Sequence, residues 1–562
     1  MKADLLLTDA TVLTMAPQGA AVVPRAGAVA LLGGRVVYVG PDGAGLTAER
    51  TVSLGGRCII PGFHDAHQHM AWFGASLDEI DLSTPPVHTL EDLAGAVAAA
   101  AASTPGDAWI VGNGYDENKL GGHPDRDLLE SVAPGRRVLL THTSGHMAVV
   151  SSVVLAELGL ADRGRDVPGG TIAVDASGRP TGLLQEQAQN LLGPLRRPLA
   201  VDDVARAIAR ASEVYVRQGI TSVVEAGVGG GWIGRTPVEA LAYQRARDAG
   251  RLAVRVELMV ASAALHPLGG KDEDDLGEGI DLGLRTGFGD DRLRLGPVKV
   301  FSDGSLIGHT AAMCHDFSDS PGVRGYLQDD ADALSDTIVS AHRSGWRVAT
   351  HAIGDAAIDL VLDAYERCAV EHPRAGWGGR AGNTAPRHRI EHFGVARPDQ
   401  VARAARLGVV PVPQARFVGE IGDGMRRALG PQRSDWAYRH ASLLAAGIVV
   451  PGSSDRPVVD GRPLLGIHDM VNRRTASGEV LGADEVVTAH EALRAYTYGS
   501  AYASYQEDRK GWIGPGTLGD LVVLSDDPTQ VDPSSLADID VLATVVGGEV
   551  VWDAGLGLGD PQ

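Results

Sequence analysis

The stretch Phe63-His64-Asp65-Ala66-His67-Gln68-His69 follows the apolar run Cys58-Ile59-Ile60-Pro61, and the two together decide most of what the sequence predicts. Because side chains alternate between the two faces of a strand, His67 and His69 point the same way at a strand end. Two imidazoles on one side of an extended segment form half of a site for a transition metal such as zinc. The alternative is a polar loop that happens to contain histidines, and the rest of the chain distinguishes the two.

Eight apolar runs of strand character occur along the chain, and helical stretches follow several of them. The runs are Ile59–His67, Ile220–Glu225, Ala253–Val260, Leu293–Phe301, Arg347–His351, Arg389–His392, Val409–Pro413 and Ile448–Ser453. This alternation implies parallel strands, and eight strand–helix units are the number found in a (β/α)8 barrel. We therefore predict an α/β protein built on a TIM-like barrel.

The spacing of the runs also predicts how the chain divides into domains. About 150 residues separate the first two runs, far more than an ordinary connection, so we predict a large inserted subdomain after strand 1, at about 70–198. The barrel with this insertion is predicted to span residues 59–505. Short strands with glycine turns occupy residues 1–58 and 506–562, and neither end has enough apolar surface for a stable sheet. We predict that both termini form one small β-sandwich beside the barrel.

Composition and charge exclude several classes of protein. The net charge of −21 argues against binding to nucleic acid or to an acidic membrane surface. Cys58, Cys314 and Cys368 are far apart, which suits a reducing compartment, and each is predicted to be a small buried hydrophobe. No signal-peptide core forms at the start, and no uncharged apolar stretch reaches the ~20 residues of a spanning helix. We expect a cytoplasmic protein that acts on a small molecule.

Residue types that bind metals collect at the ends of the predicted strands. In a barrel of this kind the loops after the strands converge at one face and carry the chemistry. The residues at those ends are His67, His69, Lys299, His351, His392 and Asp455. Imidazole nitrogens and carboxylate oxygens suit Zn²⁺, Co²⁺, Mn²⁺ or Fe²⁺. Each residue has an ordinary interpretation as a core or loop residue, but the coincidence of all six is hard to explain by chance.

Lys299 is the odd member of this set, because an ammonium group is repelled by a divalent cation. Its amine could lose a proton and react with CO₂, giving a carbamate whose two oxygens bridge two metal ions. Alternatively, Lys299 stays cationic and binds the substrate or a buried carboxylate. Glu225, at the end of the second run, is another candidate for a bridging ligand, and we prefer Lys299.

Taken together, these motifs resemble the amidohydrolase superfamily and, within it, amidohydrolase family 3, the group that contains N-substituted formamide deformylases. The motifs are Pro61–His69, Lys299 through Leu306, Thr350–Asp355, Ile390-Glu391-His392, Gly452–Val458, Ser144-Gly145-His146, Thr181–Glu186, Gly511–Gly516 and Gly519–Leu524. The resemblance spans nearly the whole chain. It implies that one or two divalent ions, preferably Zn²⁺, are held by His67, His69, carboxylated Lys299, His351, His392 and Asp455. A homodimer is common among similar proteins.

The function we predict is metal-dependent hydrolysis of a non-peptide C–N bond in an amide, a formamide or a cyclic amide. A bound metal lowers the pKa of water to about 7, so that hydroxide attacks the carbonyl carbon. Asp455 takes up the proton and hands it to the leaving nitrogen. His146 is the candidate for contacting the substrate or its oxyanion. Further candidates for the substrate pocket are Tyr115, Asp116, Asp303 and Arg416.

Two other functions remain open at this stage. The chain could be a metal-dependent deaminase of a ring or amidine nitrogen, although deaminases with this barrel usually manage with one metal and lack a bridging lysine such as Lys299. It could also be a non-catalytic scaffold that keeps the barrel. The presence of all six ligand positions argues against the scaffold.

Overall fold

The computed structural model describes residues 2–17, 27–43, 45–196, 198–231, 233–274, 276–373 and 386–559. Strands β1–β24 are, in chain order, Lys2–Thr8, Thr11–Val12, Ala28–Leu32, Arg35–Gly40, Thr47–Ser53, Cys58–Pro61, Phe63–Gln68, Ile80–Asp81, Ile110–Tyr115, Val138–His142, Met147–Val150, Gly170–Val174, Pro180–Glu186, Ile220–Val228, Arg255–Ala261, His266–Pro267, Glu278–Gly279, Leu293–Phe301, Val348–Ala352, Arg389–His392, Val410–Val412, Leu521–Leu524, Val541–Val546 and Glu549–Asp553. Helices α1–α16 are Met70–Ser76, Leu90–Ser103, Glu117–Leu120, Arg126–Val132, Ser152–Glu157, Gly193–Arg196, Val201–Arg217, Glu239–Asp248, Ala331–Arg343, Asp355–Glu371, Pro398–Leu407, Arg416–Ser434, Ala441–Ala445, Pro463–Asn472, Ala489–Arg494 and Ser500–Ala503.

The central sheet contains seven parallel strands in the spatial order β21-β20-β19-β18-β15-β14-β7. Strands β14 and β15 are buried along their whole length, as expected where helices cover a parallel sheet. Helices α8, α9, α10 and α11 each precede the next strand of the series. The predicted α/β, TIM-like fold is confirmed.

The eighth predicted strand, Ile448–Ser453, is wrong: among the described residues this segment carries no strand assignment. It nevertheless runs beside β7, because Ala66 N donates to Gly452 O at 3.0 Å and Asp455 N donates to His67 O at 2.8 Å. On its other side, Ser453 Oγ donates to Pro413 O at 3.0 Å, just beyond β21. An extended segment therefore stands where the eighth strand was expected.

The backbone groups of this segment explain why it is not a regular strand. Pro451 has no N–H to donate to a ladder. The N–H of Gly452 donates to Ala495 O at 2.9 Å, and the carbonyl of Ser453 accepts from the Tyr496 hydroxyl at 3.0 Å. Because these backbone groups bond to the region that follows α15, too few N–H and C=O groups of the segment remain for a strand ladder.

The first predicted run is divided into two strands at Gly62. Strand β6 pairs with β2 and β22 in a sheet of the chain ends, whereas β7 begins the barrel at Phe63. A Cβ atom at position 62 would lie 2.2 Å from Oγ1 of Thr221. Only glycine allows this close approach, so the change of sheet occurs at that residue.

A second sheet is formed by the part of the chain between the first two barrel strands, β7 and β14. It has six strands in the order β12-β13-β11-β10-β9-β8, all within the residues that connect β7 to β14. Its loops reach the barrel, since Thr143 Oγ1 donates to Val458 O at 2.8 Å. The side chain of Trp72, in α1, likewise donates to Asn113 Oδ1 at 3.2 Å. The contact of Thr143 holds the loop between β10 and β11 over the end of the barrel that carries Asp455, and the contact of Trp72 holds β9 against α1.

The chain ends form two further sheets. One has the order β4-β3-β1-β5, and the other, β2-β6-β22-β23-β24, contains strands from both ends. Side chains of the two sheets, among them Leu7, Val29, Leu521 and Val545, belong to one hydrophobic cluster. Gly547 and Gly548 both have positive φ, at 60° and 81°, and form the turn between β23 and β24, one of the glycine turns expected near the chain ends.

Two smaller predictions concern the burial of the cysteines and the absence of a membrane-spanning helix. Cys58 and Cys368 are buried, but Cys314 is half-exposed, so its predicted full burial is wrong. The three cysteines are unpaired, as expected. Among the described residues, no helix is both long enough and apolar enough to cross a bilayer.

A buried ion pair joins the barrel to the sheet of the chain ends. Arg255 in β15 donates through Nε to Asp520 Oδ2 at 2.7 Å and through Nη2 to Asp520 Oδ1 at 2.9 Å. Asp520 also accepts from Gly547 N at 2.7 Å. Burial opposes ionisation of Asp520, but these partners outweigh it and hold its pKa below the ordinary value.

We expect Arg255→Ala to lower the free energy of unfolding by about 3–5 kcal/mol, because it leaves a buried carboxylate without its cation. Arg251→Ala is the matched control, since the Arg251–Glu213 pair is exposed and should contribute less than about 1 kcal/mol. Denaturant midpoints of the two variants measure the difference. Equal midpoints would contradict a structural role for the buried pair.

Candidate metal centre

Three of the six predicted ligands surround the carboxylate of a fourth, Asp455, at the end of the barrel. Oδ1 of Asp455 lies 3.3 Å from Nε2 of His67 and 3.3 Å from Nε2 of His69. Oδ2 of Asp455 lies 4.0 Å from Nδ1 of His392. One donor atom each from His67, His392 and Asp455 can be chosen within 4.8 Å of one another, and all three residues are buried. The structure thus brings together side chains from β7, β20 and the segment that completes the ring.

His351 and Lys299 adjoin this group. The ring of His351 lies 4.5 Å from the ring of His392, centre to centre. Lys299 is buried, and its Nζ lies 4.7 Å from the centre of the Phe301 ring. Strand β18, which carries Lys299, pairs in parallel with β19, which carries His351, with Phe301 opposite His351. All six predicted ligand positions therefore lie at one end of the barrel.

Two of these residues have an unusual backbone. His392 has φ of 70° and Asp455 has φ of 61°, both in the left-handed region. Residues other than glycine adopt this region rarely, and it costs free energy that the surrounding structure must offset. Both residues lie at the point where the chain leaves the barrel, so the strained turns direct their side chains toward the common centre.

The outer nitrogen of His67 is held by a buried carboxylate. Nδ1 of His67 makes a very short contact with Oε2 of Glu391. Arg389 holds that carboxylate through Nε and Nη2, at 2.7 and 2.8 Å, and also donates to Ala66 O at 2.7 Å. Burial favours the neutral acid, but Arg389 and His67 outweigh it, so the pKa of Glu391 falls well below the ordinary value. An ionised Glu391 keeps the proton of His67 on Nδ1 and leaves Nε2 with its lone pair toward Asp455.

The other ring histidines are held in the same way. Nδ1 of His392 contacts Gln414 Oε1 at 2.7 Å, and the amide nitrogen of Gln414 donates to Val412 O at 2.8 Å. Nε2 of His351 contacts the carbonyl of Gly304 at 3.1 Å. Each histidine thus has an acceptor on one ring nitrogen, which leaves the lone pair of the other nitrogen available.

Glu225 holds His69 more loosely. Its Oε1 lies 3.6 Å from Nδ1 of His69, and its Oε2 accepts from the Tyr243 hydroxyl and from Ala71 N. This carboxylate therefore supports the outer side of His69.

The residues fit a divalent metal ion. Among the described residues, Nε2 of His67, Nδ1 of His351 and Oδ1 of Asp455 are buried polar atoms without a hydrogen-bond partner. Leaving such atoms unsatisfied is costly, and a cation among them would satisfy nitrogen and oxygen donors at once. Burial also lowers the pKa of His351 and His392 well below the usual value, so both imidazoles are neutral, as metal ligands must be.

A model of the amidohydrolase family matches residues 50–552 of the sequence. The chain belongs to the amidohydrolase family. It is 30% identical over 519 residues to the putative amidohydrolase YtcJ of Bacillus subtilis, covering 89% of this chain and 90% of that one. It is also 30% identical over 562 residues to the N-substituted formamide deformylase of Arthrobacter pascens, covering 98% of each chain.

A solved structure has the same architecture. The uncharacterized metal-dependent hydrolase from Pyrococcus horikoshii superposes with a TM-score of 0.70 at 27% sequence identity, covering 94% of this chain and 99% of that one. These findings confirm the predicted family and the predicted class of enzyme, a metal-dependent amidohydrolase acting on C–N bonds.

A narrow cavity opens beside the ring of ligands in this amidohydrolase. Asp455, His392, His146 and Ser144 line its polar side, and most of its other walls are apolar, among them Leu306, Phe417 and Met425. His146 is held through Nδ1 by Glu186 Oε2 at 2.7 Å, and its ring lies 5.1 Å from that of His351. Of the predicted substrate contacts, His146 is the one that the structure places in this cavity.

The other predicted pocket residues have different surroundings. Asp303 is buried, accepts from three backbone N–H groups, and lies 3.3 Å from Nε2 of His351, so it positions that histidine. Tyr115 contacts His123, and Asp116 caps α3. Arg416 donates to Asp469 at 2.8 Å. None of the four lines the cavity, and substrate contact by them stays a prediction.

Sequence reasoning missed several supporting residues. The most consequential is Asp65, a buried carboxylate that accepts from His67 N at 3.1 Å, from Ser454 N at 3.1 Å and from Ser454 Oγ at 2.5 Å. A usable signal did exist for another pair: Arg389 and Glu391 are opposite charges two positions apart in an apolar strand, hence on one face. No comparable local pattern connects Asp65 to Ser454.

We expect Glu391→Gln to lower the affinity of the enzyme for its divalent metal by about 10–100-fold, because a neutral amide orients His67 less strongly than a carboxylate. Competition with a chromogenic chelator measures this affinity. Glu371→Gln, at an exposed carboxylate paired with Arg367, is the control and should change nothing. Unchanged affinity in a folded Glu391→Gln variant would refute the role of Glu391.

Proposed function

We propose that this amidohydrolase hydrolyses a non-peptide C–N bond in an amide, a formamide or a cyclic amide. One or two divalent ions, preferably Zn²⁺, would be held by His67, His69, Lys299, His351, His392 and Asp455. The observation that carries the proposal is the position of Asp455. Its carboxylate lies 3.3 Å from two imidazole nitrogens and also lines the cavity that adjoins them.

A metal bound at this centre supplies Lewis acidity, which polarises a carbonyl and makes water more acidic. The proton transfer belongs to Asp455. Asp455 is buried, and a divalent cation held beside it would keep its carboxylate ionised, so it would begin as a base. Its Oδ1 faces the imidazole nitrogens of the metal centre at 3.3 Å, so Oδ2 is the oxygen that would receive a proton from water. Asp455 then gives that proton to the leaving nitrogen as the C–N bond breaks.

Lys299 would contribute as a carbamate. Burial lowers its pKa to about 8, against the pull of Glu391 and Asp455, so a fraction of the amine is uncharged near neutral pH. In carboxylation, Nζ of the uncharged amine forms a bond to the carbon of CO₂ and releases one proton. Relative to the ammonium form two protons are lost, so a cation becomes an anionic oxygen ligand. Such a ligand removes the repulsion that a cationic lysine would create beside a metal.

Two observations support an N-substituted amide as the substrate. The N-substituted formamide deformylase of Arthrobacter pascens is 30% identical to this chain over 98% of each sequence. In addition, Leu306, Phe417 and Met425 give the cavity apolar walls suited to a hydrocarbon substituent. A panel of N-formyl, N-acyl and cyclic-amide compounds, tested with Zn²⁺-loaded enzyme, identifies the class that is hydrolysed.

We expect Asp455→Asn to lower kcat by about 10²–10⁴-fold, because the amide cannot take up and return the proton. Metal content per chain is measured in parallel, and an unchanged content assigns the loss to proton transfer. Asp203→Asn is the control, since this carboxylate is exposed and pairs with Arg206. Normal turnover by Asp455→Asn would rule out the proposed proton role.

We expect wild-type enzyme to carry a mass gain of one CO₂ on Lys299 and close to two metal ions per chain. Lys299→Ala should lower metal affinity and activity by more than about 100-fold. Losing a residue that only supports a ligand costs up to about that much, and Lys299 is proposed to be a ligand itself. Added short carboxylates such as formate or acetate should restore part of the activity. One metal per chain without carboxylation would instead favour a deaminase.

A further inference from the structure

A hydrogen-bonded row in the insertion ends at the wall of the cavity. Oε2 of Glu117 lies 2.5 Å from Nε2 of His142, and Nδ1 of His142 lies 2.8 Å from Oγ of Ser144. His142 is fully buried, and Ser144 is among the residues that line the cavity together with Asp455. The metal ligands and the proton-transfer role of Asp455 do not use this row.

The donors around His142 fix its tautomer. Its Nδ1 accepts from the backbone N–H of Ser144 at 3.1 Å, so the lone pair of the ring lies on Nδ1. The proton is therefore on Nε2, where the carboxylate of Glu117 accepts it. Glu117 itself is held through Oε1 by the side-chain amide of Asn118 at 3.0 Å.

This tautomer determines what the hydroxyl of Ser144 can still do. The hydroxyl proton donates to Nδ1 of His142, and one lone pair of Oγ accepts from His146 N at 3.2 Å. A hydroxyl has one donor and two acceptor sites, so one lone pair of Ser144 is left. On the cavity side, the hydroxyl of Ser144 can therefore accept a hydrogen bond but has no hydrogen left to donate to a carbonyl oxygen.

We propose that Ser144 accepts a hydrogen bond from the N–H of the substrate, so that the enzyme selects amides that carry a hydrogen on the scissile nitrogen. This inference rests on the proposed amide hydrolysis. The cavity also has the hydroxyls of Ser305 and Tyr438, and Ser305 Oγ already accepts from Gly308 N at 3.1 Å. Leu306, Phe417 and Met425 offer no strong acceptor, so an N–H placed against these walls would lose its partner in water. Glu117 and His142 are positioning residues, because they act by holding the hydroxyl of Ser144 in its acceptor orientation.

The test compares an N-alkylformamide with the alkyl formate of the same chain length, because the ester has an oxygen where the amide has N–H. We expect Ser144→Ala to lower kcat/KM for the formamide by about 10²-fold and to leave kcat/KM for the ester within about threefold. Glu117→Gln should lower the same amide-to-ester ratio by a smaller factor. Ser177→Ala, at an exposed serine of the insertion, is the matched control and should leave the ratio unchanged.

The outcomes separate this inference from the function on which it rests. If wild-type enzyme hydrolyses no amide, the proposed function fails and the role of Ser144 fails with it. If wild-type enzyme hydrolyses the formamide and folded Ser144→Ala keeps the wild-type ratio, only the role of Ser144 is overturned. Covalent labelling of Ser144 by a fluorophosphonate would also overturn it, because it would identify a nucleophile instead of an acceptor. Should Ser144→Ala fail to fold, an unchanged ratio in Glu117→Gln decides against the inference.

Discussion

The active centre depends on the attachment of the segment before Asp455 to the first barrel strand. Asp65 makes this attachment, since its carboxylate accepts from the backbone of His67 and from both the backbone and the hydroxyl of Ser454. Burial raises the pKa of Asp65 to about 6, and these hydrogen bonds oppose that rise. The backbone bond from Asp455 N to His67 O lies next to it, and the left-handed turn at Asp455 then directs the carboxylate toward His67 and His69. A regular eighth strand would not provide this turn.

A second constraint is that each ring histidine has one nitrogen held from outside. Glu391 holds His67, Gln414 holds His392, and the carbonyl of Gly304 holds His351. The inner nitrogens and Oδ1 of Asp455 are consequently oriented toward a common centre before any ion arrives. The protein bears the cost of buried polar atoms without partners, and a cation at the centre offsets that cost.

The insertion supplies one wall of the cavity beside the metal centre, and the barrel supplies the ligands. The loop between β10 and β11 is attached to the barrel through Thr143 and Val458, and it presents Ser144 and His146 to the cavity. His146 is supported by Glu186, and Ser144 by His142 and Glu117. The barrel therefore carries the ligand set, and a loop of the insertion adds a hydroxyl and an imidazole to the cavity. This division is consistent with barrels that share one ligand set and act on different substrates.

The sequence by itself determined the barrel class, the position of most strands and the six residues at their ends. Strand alternation and the convergence of strand ends are local rules, and so Leu293–Phe301 and Arg389–His392 coincide with the predicted runs. Only the tertiary structure decided which residues support the ligands, because His67 and Glu391 are 324 positions apart, and Asp65 and Ser454 are 389 apart. It also decided that Ile448–Ser453 lacks a ladder and that Arg416, at the start of α12, donates to Asp469, because both depend on which distant groups lie beside them. Contacts of that range follow from how the elements assemble, and no local pattern encodes them.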